Sequence, residues 1–145
     1  AMNLAFMWHI VGDGSERARV EMLITENALK DYVILEGSKT NPYPYMKYAD
    51  LFVHPSYIES QGLTVLEAMT LGVPCVVTKS RGPCEFIKDG VNGLLTEQSP
   101  ESLTEKVLSI LTDKTLYQSI KENTVCPEQF GPDRVMKQIE ELIDG

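Results

Sequence analysis

Apolar residues in this chain come in short continuous runs, separated by stretches whose apolar positions recur at helical spacing. LAFMWHIV (4–11) is such a run, ended by GDGS, and predicts a parallel strand covered on both faces. SERARVEMLITENALK (15–30) then places Ala18, Met22, Ile24 and Leu29 along a helix, with Ser15 as its N-cap. YVILEG (32–37) predicts the next strand, NPYPYMKYA (41–49) a short helix, and LFVHPS (51–56) a third strand stopped by Pro55. A helix over 62–71, a strand PCVVT (74–78) and a short glycine-closed helix within GPCEFIKDG (82–90) follow. NGLLT, ending at Thr96, is a fifth strand, and SPESLTEKVLSILTD (99–113) is an amphipathic helix with Ser99 as cap and Pro100 at its first position. Two more helical patterns cover 114–123 and 132–144. Strands and helices alternate throughout, so the expected fold class is α/β with a doubly wound parallel sheet and flanking helices.

Length and composition narrow the function classes. A chain of 145 residues is expected to form one domain, burying roughly two thirds of its unfolded surface. Its net charge of −8 argues against sequence-independent nucleic-acid binding and against attraction to anionic lipid. No apolar run approaches the ~20 residues that span a bilayer, and the N-terminus does not resemble a signal peptide. Three cysteines, Cys75, Cys84 and Cys126, lack metal-ligand spacing and read as reduced thiols of a cytoplasmic protein, with Cys75 in a core strand. Two histidines are too few for a metal cluster: His9 falls inside an apolar strand and His54 at a strand end.

Ligands of open α/β sheets bind beyond the carboxyl ends of the strands. Those ends are Gly12 to Ser15, Gly37 to Lys39, Ser56 to Gly62, Lys79 to Pro83, and Thr96-Glu97. GDGSER fails as a dinucleotide fingerprint because Arg17 stands where a glycine is required, and no P-loop is present. What remains at Gly12 and Gly14 is a glycine turn before a helix, suited either to an anion or simply to a tight connection. YIESQGLTVLEAM (57–69) holds two carboxylates eight positions apart, Glu59 and Glu67. On one continuous helix they would be ~80° apart and over two turns distant, but Gly62 argues that Glu59 belongs to a loop and Glu67 to the early helix. Such carboxylates accept from the vicinal hydroxyls of a sugar, while the N–H groups of Gly62, Leu63 and Thr64 suit a diphosphate. Thr64-x-x-Glu67 also fits a capping box, and on spacing alone both readings stay open.

HPSYIESQGLTVLEAMTLGVPCVVTKSRGPCEFIKDGVNGLL (54–95) resembles the signature of retaining, GT-B-type glycosyltransferases of the glycosyltransferase 4 (group 1) family. IVGDGSER, ILEG and NPYPYMKYADLFV extend the resemblance over most of the chain, and its E-x7-E element is the most specific part. The resemblance implies a Rossmann-like domain, the C-terminal donor-binding half of a two-domain, hexosyltransferase-type enzyme. That enzyme moves a sugar from a nucleoside diphosphate sugar without a metal or other cofactor. By match to the motif, Glu59 would contact the donor sugar at the reacting centre, as the catalytic carboxylate, and Glu67 would hold the ribose. Gly62, Leu63 and Thr64 would receive the diphosphate, Gly37 and Ser38 would lie near the base, and Gly12 and Gly14 would line the crevice.

Two departures stand out: Ser60-Gln61 replaces the family's Gly-Phe after the first glutamate, and Lys79-Ser80-Arg81 is unusually basic. The family's strand-and-helix unit with its diphosphate-binding Arg and Lys, and its N-terminal acceptor domain, have no counterpart here. The expectation is therefore a domain incomplete at its N-terminus, inactive alone, from a cytoplasmic or inner-membrane-associated enzyme of cell-surface polysaccharide synthesis. Its partners would be the donor, the missing domain and a glycan or lipid-linked acceptor. The rival expectations are a GT-B-like nucleotide-sugar epimerase and a non-catalytic nucleotide-sugar-binding or assembly module.

Overall fold

The computed structural model describes residues 5–125, so the helix expected over 132–144 and Cys126 lie outside the described residues. Two compact units, Ala1–Tyr45 and Met46–Gly145, make up the chain. The parallel pairing accordingly falls into two sheets.

In the first unit, β1 (Trp8–Val11) runs parallel to β2 (Val33–Gly37), with Trp8 opposite Val33 and a register irregularity between Ile10 and Val11. Helix α1 (Arg17–Glu26) connects them. Its N-cap position is Glu16, without a side-chain cap bond, so Ser15 does not cap it. The chain spends Ser15 and Glu16 in a turn before the helix begins. Nor is β1 covered on both faces: Trp8 is 40% and Ile10 37% exposed. A two-stranded sheet with one helix has too little partner surface to enclose a continuous apolar run, and α1 itself buries no residue completely.

Polar contacts fasten this unit instead. Glu36, near the end of β2, accepts from the Tyr45 hydroxyl (2.9 Å), meets Lys39 Nζ at 3.1 Å and lies 2.9 Å from His9 Nδ1. His9, then Lys39 and Tyr45, draw the Glu36 carboxyl down from 4.5 to about 2. A carboxyl depressed in the folded state stabilises above its unfolded value, and that contribution disappears as pH falls through the folded one. The wild-type chain should therefore lose more stability than Glu36→Gln as pH falls from about 4.5 to about 2. Thermal unfolding of both proteins across that window checks this; parallel curves would refute it.

In the second unit, β3 (Phe52–His54), β4 (Cys75–Thr78) and β5 (Leu94–Thr96) form a parallel sheet in that order, with β4 central and buried throughout. The alternation of β4 sorts two cores. Cys75 and Val77 face α3 (Leu63–Thr70) through Val65, Ala68 and Met69. Val76 faces Ile110 of α4 (Pro100–Thr112) and Ile120 of α5 (Lys114–Asn123). Cys75 is a core residue as expected, and burial pushes its thiol up to about 12. Ser99 caps α4 by accepting from the Ser102 N–H, with Pro100 next. The expected short helix after β4 is a single 3-10 turn, Pro83–Glu85. The short helix α2 (Tyr43–Lys47) carries the division between the units. Among the described residues, no helix is long and apolar enough to cross a membrane.

Candidate functional site

The loop from Pro55 to Gly62 leaves β3 and enters α3, and one carboxylate within it accepts from the backbone at the helix start. Glu59 Oε1 accepts from the backbone N–H of Gly62 (2.9 Å) and of Gln61 (3.1 Å). These two bonds, opposed by partial burial and aided by His54, hold the Glu59 carboxyl below the usual carboxylate range. Glu59 is thus an ionised acceptor, about a quarter exposed. Its Oε2 lies 3.5 Å from His54 Nε2 at the end of β3.

Helix α3 starts at Leu63, with Gly62 in the cap position at φ +72°. A β-carbon on Gly62 would sit 3.0 Å from the Phe86 ring, so conformation and space both require glycine there. Thr64 is the second helical residue rather than the cap, which removes the capping-box register for Glu67. Glu67 is half-buried and opens the second turn of the helix. The Gly62 N–H is already taken by Glu59, so the expected trio of diphosphate donors is reduced to Leu63 and Thr64. Both are exposed, and both lie in the helical turn whose N–H groups lack intrahelical acceptors.

Neighbouring loops are tied to this one. The Gly82 N–H donates to Glu59 O (3.1 Å). Gln98 Nε2 donates to Tyr57 O (2.8 Å) and to Lys79 O (2.9 Å), joining the loops after β3 and β4. The Thr78 hydroxyl reaches the carbonyl oxygens of His54 and Ser56. Lys79 is ion-paired with Glu97, which raises its ammonium pKa. Sequence reasoning missed Gln98, took Gly82 only as part of the strand end Lys79 to Pro83, and set His54 aside. Gln98 has no motif, and its partners are 41 and 19 positions away.

The remaining expected residues belong to the first unit. Gly12 donates its N–H to Gly37 O (2.9 Å) and has φ +137°, while Gly37 has φ +70°. The Gly14 N–H donates to Asp13 Oδ1 (2.8 Å), and Asp13 in turn meets Arg17 at 3.3 Å. The N–H groups of Gly12 and Gly14 are therefore both satisfied within this unit. Ser38 is exposed beyond the end of β2.

Comparison with known proteins agrees with this architecture. The profile of the family described as "Glycosyl transferases group 1" matches residues 2–125. The N-acetyl-alpha-D-glucosaminyl L-malate synthase of Bacillus anthracis is 31% identical over 92% of this chain and 36% of its own length. The lipopolysaccharide core biosynthesis glycosyltransferase LpsE of Rhizobium meliloti is 31% identical over 81% of this chain and 34% of its own. The chain thus spans about a third of the length of these curated relatives. The crystal structure of Anabaena Alr3699/HepE in complex with UDP superposes with a TM-score of 0.86 at 28% identity, covering 96% of this chain and 41% of that one. With an α/β, Rossmann-like architecture and a family match over most of its residues, the chain belongs to the group 1 glycosyl transferases.

Proposed function

We propose that this chain is the donor-binding domain of a retaining glycosyltransferase that moves a sugar from a nucleoside diphosphate sugar to a glycan or lipid-linked acceptor. The observation that carries the reading is the Glu59 carboxylate, fastened by backbone N–H groups at the start of α3 and kept ionised there. A carboxylate favoured in its charged form beside a helix N-terminus suits a reaction in which a diphosphate departs and positive charge grows on the sugar's anomeric carbon. In this reading the N–H groups of Leu63 and Thr64 receive the diphosphate, Glu67 holds the ribose hydroxyls, and Glu59 faces the sugar. No metal is required. The UDP bound in HepE supports a nucleoside diphosphate as the ligand class, and LpsE supports a polysaccharide setting.

A carboxyl held below its usual range is little protonated at rest, which counts against Glu59 as the acid of the epimerase alternative, in which carboxylates act as acid and base on the sugar ring. Cations for the diphosphate would come from the rest of the enzyme, so the domain alone is expected to be inactive. Within this unit Lys79 is occupied by Glu97.

The test is Glu67→Gln in the full-length protein. Loss of a charged acceptor for the ribose should cost about 1.5–3 kcal/mol of donor binding, measured by calorimetric titration with UDP and the donor sugar nucleotide. Wild-type affinity in a normally folded variant would remove Glu67 from the donor site. The complete absence of saturable nucleoside diphosphate binding in the wild type would favour a non-catalytic module.

A further inference from the structure

His54 Nε2 is enclosed, with no accessible surface, and makes no hydrogen bond among the described residues. Buried polar atoms are nearly always satisfied, so one left without a partner calls for a reason. The nearest acidic group is Glu59 Oε2, 3.5 Å away. Glu59 is ionised and can only accept, so an unprotonated Nε2 would set a lone pair against a carboxylate oxygen. A protonated Nε2 is attracted instead and lies only about 0.7 Å beyond a charge-assisted hydrogen bond.

The ring is held on the strand rather than in the loop. Phe52, two residues earlier on β3, stacks on it with planes 14° apart and centroids 6.2 Å apart. The Thr78 hydroxyl reaches the His54 carbonyl at 3.2 Å. A fixed donor therefore faces a carboxylate whose other oxygen is already committed to Gln61 and Gly62.

The geometry points to His54 as the positioning residue for Glu59, its Nε2–H turning Oε2 so that the remaining lone pair faces the donor sugar. A carboxylate offers about four acceptor positions. The two backbone N–H groups account for two and His54 for a third, leaving one direction for a ligand. The 3.5 Å separation leaves a short distance to close, and such catalytic contacts commonly tighten within a substrate complex. The inference rests on the reading that Glu59 meets the donor sugar.

Two measurements test it. In the chain labelled with 15N-histidine, long-range proton–nitrogen correlations should show His54 protonated at Nε2, with a resonance that shifts in Glu59→Gln. A proton at Nδ1 alone, or no response to Glu59→Gln, overturns the inference without any substitution at position 54. In the full-length protein, His54→Phe should lower kcat/KM about tenfold, mainly through kcat, as expected for a lost hydrogen bond to a charged group. His54→Gln should recover most of that loss, because its amide nitrogen reaches the same place and donates. A fully active His54→Phe, or no recovery in His54→Gln, overturns the positioning role. If Glu59→Gln is itself fully active, the failure belongs to the donor-sugar reading and not to His54.

Discussion

Replacing Glu59 by glutamine in the full-length protein is expected to lower kcat/KM by about 10²- to 10³-fold, the scale of removing one preorganised electrostatic contact from a transition state. The substitution preserves shape but removes the charge and introduces two N–H donors. Whichever way the amide turns, it meets a donor. The N–H groups of Gln61 and Gly62 face one oxygen position, and His54 Nε2 faces the other. Steady-state kinetics decide the matter when paired with thermal unfolding as a control for folding. Activity within about twofold of wild type, at unchanged Tm, would reduce Glu59 to a loop-ordering residue.

Gly82→Ala should destabilise the domain by about 3 kcal/mol, the upper range for forcing a group into packed space. Gly82 has φ −61°, which every residue adopts, so conformational freedom is not the reason for glycine here. The reason is proximity: an added β-carbon would lie 2.6–2.8 Å from the backbone atoms of Gln61. Backbone cannot rotate aside as a flexible side chain can, so the Glu59 loop must shift and its bond from the Gly82 N–H must lengthen. Urea unfolding should show the lower midpoint. An alanine variant of wild-type stability would mean that the two loops separate easily.

Several local features were legible in the sequence where the decisive partner was near in sequence. Ser99 and Pro100 mark the start of α4 because a cap acts over three residues, and β4 is recognisable because Cys75, Val76 and Val77 form a continuous apolar run in a fully buried parallel strand. Gly62 breaks the segment as expected, leaving Glu59 in a loop and Glu67 in the helix. The same logic failed at Ser15, where the chain makes a turn before the helix, and at β1, whose apolar run does not report how little surface is available to cover it. Spacing also could not show that Glu59 would consume the Gly62 N–H otherwise assigned to a ligand. His54 and Gln98 were invisible as functional residues because their roles depend on which loops the sheet brings side by side. The requirement at Gly82 is of the same kind, set by a chain segment some twenty positions earlier.

The carboxamide of Gln98 spans Tyr57 and Lys79 with a single nitrogen, so one side chain ties the segments after β3, β4 and β5 together. A chimera that transplants only the segment around Ser60 and Gln61 would inherit mismatched anchors at Gly82 and Gln98. Exchanging all three segments together keeps those anchors matched, and this makes the trio, not the single loop, the natural unit to exchange.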